Sequence, residues 1–416
     1  MILLLIIADD FTGALDTGVQ FAAHGIRTRV VVDPEVDFGS CDADVLVVDT
    51  ETRHLPAAQA YEIVADLTRR ARSLGVTYIY KKTDSALRGN IGAELAAVLT
   101  ASGEKTLPFL PAFPQTGRVT REGIHYVDGV PVTESPFGID PFEPVTRSRV
   151  TELLALQTEL PAVSLPALTE EGVLPDTEGI FVFDAQSPED LSRTGGRLRE
   201  LGRLRIMAGC AGFASQLPAL LGLSGSPADA LPKLDPRFLV VCGSVNPITL
   251  AQLDRAEESG FARLRLTPRQ KLEENYWESK DGAESLKDIE AMLAANSRCI
   301  IETNDKSGNQ PTADYAAGLG IDREGLRVRI AGGLGQLVKE LFASPSLGTL
   351  LLTGGDTLLQ CMNCVGVQEL EPICELERGV VLARFTCGGC TRYVITKSGG
   401  FGQENLLTSL AERIAE

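Results

Sequence analysis

The chain opens on a continuous apolar run, Ile2 to Ile7, which gives way at once to Ala8-Asp9-Asp10-Phe11-Thr12-Gly13. A short apolar run that stops at a turn signal predicts a buried parallel strand. Thr12 can cap the helix that follows, whose apolar face takes Leu15, Val19 and Ala22 and which Gly25 can end. The alternation then recurs. Residues 27–32, 45–49 and 78–82 predict strands, and Pro56 opens a helix towards Arg72 that stops at Gly75. Further on, 149–157 and 188–201 predict helices, 179–184 and 204–208 strands, and Gly209-Cys210-Ala211 starts another helix. Residues 222–235 are rich in Gly, Ser, Pro, Ala and Asp and mark a boundary. The pattern then restarts, with strands at 238–242, 298–303, 349–352 and 393–396. Helices follow at 248–258 and 326–342, and a terminal one from Glu404. Strand and helix alternating at this spacing predict an α/β protein, here two α/β domains with largely parallel sheets at 1–222 and 236–416.

The polar residues gather where the predicted strands end. Open α/β sheets bind ligands at the carboxyl ends of their strands. Asp9 and Asp10 stand at one such end; a helix cap needs only one carboxylate, so the second asks for another role. The strand Tyr78–Lys82 leads into Thr83-Asp84-Ser85-Ala86-Leu87-Arg88-Gly89-Asn90. An ammonium and an Arg fork in one loop suit a carboxylate ligand, and Ser, Asp and Asn can read hydroxyls. A salt-bridged loop tying strand to helix is the plainer alternative. Residues 111–141, proline-rich with little periodicity, read as a long functional loop carrying Arg118 and His125, either of which can instead be a loop-stabilising donor.

In the second half, three strands end in glycine-bearing turns before helices: Gly243-Ser244-Val245-Asn246-Pro247, Thr353-Gly354-Gly355-Asp356-Thr357 and Lys397-Ser398-Gly399-Gly400-Phe401-Gly402. Glycine lets backbone N–H groups approach a ligand, and helix N-termini favour anions, so the three turns read as a phosphate cradle with Lys397 as a nearby charge. Neither a GxxxxGK[ST] run nor a GxGxxG fingerprint is present.

IADDFTGALD with YKKTDSALRGN, PAFP followed by Gly117-Arg118, and Gly123-Ile124-His125-Tyr126-Val127 up to Asp140-Pro141 resemble the four-carbon acid sugar kinase family, whose members include threonate, erythronate and 3-oxo-tetronate kinases. GSVNP, TGGDT and KSGGFG resemble its nucleotide-binding C-terminal domain. The resemblance covers essentially the whole chain. It implies a sugar acid on the first domain, ATP with Mg²⁺ on the second, and an active-site cleft between them. The expected reaction is phosphorylation of a terminal hydroxyl of an acid such as threonate or erythronate, or of a 3-oxo-tetronate. Substrate binding then falls to Asp9, Asp10, Lys82, Asp84, Ser85, Arg88 and Arg118. The nucleotide falls to Ser244, Gly354, Gly355, Asp356, Thr357, Lys397, Gly399 and Gly400. Asp10 and Asp356 are both candidates for the base, and Asp356 for a metal contact.

Composition narrows the alternatives. The chain has 416 residues, too many for one core, and a net charge of −17 that argues against nucleic acid or an anionic membrane as partner. No run reaches the roughly 18 apolar residues of a membrane span. The apolar start lacks a basic flank and reads as a strand rather than a signal peptide. With nine cysteines, a cytoplasmic protein with reduced thiols is expected, a homodimer being possible. Cys361/Cys364 and Cys387/Cys390 nearly fit a zinc spacing, but ordinary thiols, two on a helix and two in a loop before the last strand, are expected. An aspartyl phosphatase is disfavoured because the two Asp are adjacent instead of one residue apart. A non-catalytic sugar-acid sensor is disfavoured because both halves keep their polar strand ends.

Overall fold

The computed structural model describes residues 2–140, 143–226 and 231–415. Pro141 and residues 227–230 of the polar boundary stretch lie outside the described residues. The chain divides into two compact units, residues 1–228 and 229–416.

In the first unit the strands are β1 (Leu4–Ala8), β2 (Thr28–Val31), β3 (Val45–Asp49), β4 (Tyr78–Lys82), β5 (Thr106–Leu110), β6 (Arg118–Arg121), β7 (Ile124–Val127), β8 (Val130–Pro131), β9 (Ala162–Leu165), β10 (Gly179–Phe183) and β11 (Ile206–Gly209). Eight of them form a parallel sheet in the order β2-β3-β1-β4-β11-β5-β10-β9. Strands β1, β3, β5 and β10 are buried along their whole length, as the unbroken apolar runs require of a sheet covered on both faces. The winding leaves β1 for β2 and β3 on one side and returns to β4 on the other. That makes the β1/β4 crevice a switch point, where such sheets take ligands.

Register decides which side chains meet there. Ala8 pairs with both Asp49 and Lys82, and Lys82 with Gly209. The loops that begin at Asp9, Thr50, Thr83 and Cys210 therefore leave the sheet side by side. Consecutive residues of a strand face opposite ways. Lys81 goes to Glu94 on the helix Ile91–Ser102, a fully buried pair at 3.0 Å, while Lys82 goes to the aspartates. The long segment after β5 is not simply a loop. It contains an antiparallel ribbon, β6-β7-β8, whose turns place Glu122-Gly123 and Asp128-Gly129 at positive φ. Its strands are too short to show a period in the sequence, although an Asp-Gly pair is a hairpin signal.

The second unit has β12 (Phe238–Cys242), β13 (Ala262–Arg265), β14 (Arg298–Glu302), β15 (Thr349–Thr353), β16 (Glu369–Glu377), β17 (Val380–Cys387) and β18 (Cys390–Lys397). Strands β13-β14-β12-β15-β18 are parallel, and β17 and β16 extend the sheet antiparallel. The opening winding repeats that of the first unit: out to β13 and β14 on one side, back to β15 on the other. Cys387 and Cys390 flank a tight turn before the last strand, as expected: Gly388-Gly389 is the two-residue turn of the β17–β18 hairpin, and both glycines have positive φ, which such turns demand. Cys361 is fully buried, and burial raises its thiol pKa. Among the described residues no group of three or more His, Cys, Asp and Glu is arranged to hold a metal ion. No helix among the described residues is long and apolar enough to cross a membrane.

Candidate functional site

Two adjacent carboxylates at the end of β1 are shut away from most water, Asp9 buried and Asp10 half-buried, which costs several kcal/mol per charge unless each is paired. The neighbouring strand ends supply the cations. Lys82 Nζ donates to Asp10 Oδ1 at 2.6 Å and to Asp9 Oδ1 at 3.1 Å. Arg53, four residues past the end of β3, donates from Nε to Asp9 and from Nη2 to Asp10, both at 2.7 Å. Thr12 Oγ1 donates to Asp10 Oδ2 at 2.7 Å. Burial alone would raise the pKa of Asp10, but Arg53 and Lys82 outweigh it and hold the group ionised, well below the usual carboxylate range. Asp49 has no such neighbour. Burial, with the charges of Glu51 and Asp10, pushes its pKa well above the usual range.

Gly13 makes this packing possible. A Cβ there would lie 1.7 Å from Lys82 Nζ and 2.4 Å from Asp10 Oδ1. The glycine of the DDFTG run is thus a space for an ammonium on the inner face of the helix Phe11–Ala22.

The Thr83–Asn90 loop wraps around Asp84. Its carboxylate accepts from the backbone N–H groups of Ala86 and Arg88, and from Arg88 Nε at 3.0 Å and Nη2 at 2.9 Å. Asp84 thus faces its own loop and orients Arg88. Leu87 is buried at φ 67°, an uncommon conformation for a bulky residue; Glu51, at φ 48°, is a second such position beside the aspartates. The ribbon braces the loop from outside: His125 contacts the Ser85 carbonyl at 2.9 Å through Nε2 and Thr120 Oγ1 at 3.0 Å through Nδ1. Burial lowers its pKa from 6.5 to about 4, so the ring is neutral and serves as a brace. Arg118 donates to the Thr116 carbonyl and lies over the Phe137 ring, as Arg88 does.

In the second unit, register again aligns the strand ends. Glu302, Cys242, Thr353 and Lys397 form one row across β14, β12, β15 and β18. The three glycine turns therefore converge. A Cβ on Gly399 would lie 2.8 Å from Ser244 Oγ, one on Gly243 2.0 Å from Thr357 Oγ1, and one on Gly354 3.5 Å from the Ser244 nitrogen. Gly354, at φ 107°, takes the conformation a side chain resists, while Gly355 already begins the helix to Val365. Lys397 is buried and donates only to neutral oxygens: Thr249 Oγ1 at 3.0 Å and the Ser398 and Gly399 carbonyls. Among the described residues it has no carboxylate partner, and burial lowers its pKa to about 8. Gly400 lies in the turn beyond it. Asp356, on the first turn of the helix, is ion-paired to Arg327.

A buried, under-neutralised lysine among glycine turns suits a phosphate, and an acid–base cluster at a switch point suits a polar acid. The comparisons agree with this partition. A sugar-binding N-terminal domain model matches residues 4–217 and a nucleotide-binding C-terminal domain model residues 239–407. A D-threonate kinase of Salmonella typhimurium is 32% identical, covering 99% of this chain and 98% of that protein. This chain belongs to the four-carbon acid sugar kinase family. Other members are more distant: a 3-oxo-tetronate kinase of Methylobacterium radiotolerans is 27% identical over 95% of each chain, and a D-erythronate kinase of Heliobacterium modesticaldum 26% over 96% of this chain and 94% of its own. A solved Salmonella typhimurium structure shares the fold with a TM-score of 0.75 at 20% identity, covering 98% of each chain.

In this family member the residues singled out from sequence in the first unit do gather, with Asp9, Asp10, Lys82, Asp84 and Arg88 in one network and Ser85 and Arg118 beside it. Arg53, Asp49 and Glu51 belong to the same cluster and were not singled out, although Thr50-Glu51-Thr52-Arg53 stands at a predicted strand end.

Two outcomes follow. A glycine-to-alanine change inside a helix ordinarily gains about 1 kcal/mol. Gly13→Ala should instead lose about 1–3 kcal/mol in urea unfolding, because Lys82 must leave Asp10. The second concerns His125. Above pH 6.5 it is neutral whether folded or unfolded and has no effect. As pH falls from 6.5 towards 4, only the unfolded chain takes up the proton, so stability on the order of 3 kcal/mol drains away across that window. His125→Gln should flatten this part of the stability–pH curve; an unchanged slope would mean that the ring is not buried neutral.

Proposed function

We propose that this protein is an ATP-dependent kinase that phosphorylates the terminal hydroxyl of a four-carbon sugar acid, with threonate or erythronate first among the candidates. The observation that carries the reading is the buried Lys397 ammonium, with no carboxylate among the described residues to balance it, where three glycine turns converge. The full-length similarity to D-threonate, D-erythronate and 3-oxo-tetronate kinases supports the acceptor class.

In this reading the first unit receives the acid and the second the nucleotide. Arg88, held by Asp84 with one guanidinium nitrogen turned outward, pairs with the substrate carboxylate, with Arg118 nearby. Ser85 meets a substrate hydroxyl. Asp10, kept ionised by Arg53 and Lys82, accepts a hydrogen bond from the reacting hydroxyl and then its proton; phosphoryl transfer asks more for this orientation than for a strong base. Asp356, tied to Arg327, is the weaker candidate for that role. Ser244, Gly354, Thr357, Gly399 and Lys397 hold the phosphates. The donor set fits a triphosphate. For Mg²⁺, Asp356 is the candidate contact, and no group of three or more possible ligands is clustered among the described residues, which suits an ion held mostly by phosphates and water.

An ADP-release assay with MgATP over the stereoisomers of threonate, erythronate and 3-oxo-tetronate should find at least one substrate. ATP binding without turnover of any of them would favour a sensor. Arg88→Ala should raise the KM for the acid about 10- to 150-fold, the worth of a charge-assisted hydrogen bond, and leave that for ATP nearly unchanged. Gly354→Val should do the reverse, since its backbone conformation is nearly closed to side chains. ATP should also carry a proton signature. Lys397 titrates near 8 in the free protein, and a bound phosphate would keep it charged. Affinity should therefore fall as pH rises from 7 to 9.5, and calorimetry at pH 8.5 in buffers of different ionisation enthalpy should register proton uptake that Lys397→Met abolishes.

A further inference from the structure

The segment that follows the ribbon packs back onto Arg88. Phe137 is held at both backbone groups: its N–H donates to Ser135 Oγ at 3.3 Å, and its carbonyl accepts from the Val145 N–H at 3.0 Å. Its ring lies under the Arg88 guanidinium, 5.1 Å from the centroid. Asp140 then places Oδ2 3.5 Å from Arg88 Nη1, the one guanidinium nitrogen that Asp84 does not engage. Its other oxygen, Oδ1, accepts the Glu143 N–H at 3.0 Å and so fixes the turn.

Charge counting gives this contact its meaning. The carboxylates of Asp9, Asp10, Asp84 and Asp140 are shared among Arg53, Lys82 and Arg88. Arg118 lies over the same Phe137 ring but answers Asp128 as well, and Glu51 adds a further carboxylate beside Asp49. A substrate carboxylate would therefore enter a cluster with no surplus of positive charge, and in a buried site an excess negative charge is costly. One resident carboxylate must give way. Asp9, Asp10 and Asp84 are each gripped by two or more donors at 3.1 Å or less, with side chains at most 14% exposed. Asp140 is the most exposed of the four, at 21%, and it meets Arg88 only at 3.5 Å.

We propose that Asp140 is a tethered competitor of the substrate: its carboxylate occupies the outward nitrogen of Arg88 in the empty site and is displaced by the carboxylate of the sugar acid. The inference rests on the reading of Arg88 as the receptor of that carboxylate. A tethered competitor raises the apparent KM in proportion to the share of molecules in which it holds the site. Asp140 thereby sets how tightly the acid is held, as a specificity-determining residue outside the reacting atoms. It also gives Arg88 a partner to return to when the product leaves.

The test is Asp140→Asn, which removes the charge and keeps an oxygen for the Glu143 N–H, with Asp140→Ser as a second variant that keeps an acceptor at the turn. D-threonate, with D-erythronate as second probe, is titrated by calorimetry and assayed for turnover, in the native and the Arg88→Ala backgrounds. Both Asp140 variants should bind the acid more tightly, with KM and Kd lower by about threefold or more and the KM for ATP unmoved. In the Arg88→Ala background the gain should vanish. A KM that rises, or one that stays put in a variant of native thermal stability, overturns the inference while leaving the kinase reading intact. If Arg88→Ala itself leaves the acid's KM and Kd unchanged, Arg88 is not the receptor, and that reading falls with the inference.

Discussion

Two adjacent carboxylates at the end of a strand, one buried and one half-buried, dictate most of the first unit's chemistry. Neither can stay ionised in that position without cations, and cations must come from residues that register brings alongside. Lys82 arrives from β4 because it pairs with Ala8, and Arg53 from the turn after β3 because Asp49 pairs with the same residue. The ammonium then needs a helix without a side chain at position 13. Even the choice between Lys81 and Lys82 follows, since strand alternation sends the first to Glu94 and the second to the aspartates. Sequence, register and charge balance are one constraint seen at three scales.

The second unit uses the same opening winding with the opposite electrostatic design. The turns after its strands carry glycines where the first unit's carry carboxylates, and Lys397, buried at the end of β18, has only neutral acceptors among the described residues. A buried ammonium without a counter-charge costs stability, and the depressed pKa of Lys397 expresses that cost. Such a group is retained more readily where a ligand completes it. The charged cluster of the first unit therefore has its cations already engaged, while Lys397 in the second lacks a counter-charge among the described residues. An anion entering the second would relieve a strain; one entering the first would compete for cations that are already paired.

Much of the parallel cores was legible in the sequence because strands buried on both faces leave unbroken apolar runs, as in Ile2 to Ile7 and Phe238 to Cys242; β5, equally buried, was not, because Pro108 interrupts its run. The half-buried strands were not. Strand β16 loses its Glu–apolar alternation at Pro372-Ile373-Cys374, where the ladder shifts register, β17 is followed at once by a two-residue turn, and β6 to β8 are too short for a period to emerge. Motif residues that close on their own loop, such as Asp84 with Arg88, sit within a few positions of each other. Arg53 is 43 residues from Asp10, and its place depends on which strand neighbours which, information that lies in the β2-β3-β1 order and not in local pattern.

The same distinction separates the residues that build this site from those that tune it. Asp9, Asp84 and His125 are buried and have their hydrogen-bonding capacity spent within the protein, so changing them alters the scaffold first. Arg88 and Asp140 stand at the edge of that network, partly exposed and joined by a single long contact. Interactions at such an edge are weak enough to exchange partners on binding, because water and ligand can repay what is given up. A site that must capture an anion and then release a more highly charged product is served by a rigid interior with an exchangeable rim. The grading of burial from Asp9 outward to Asp140 provides that arrangement within one cluster of charges.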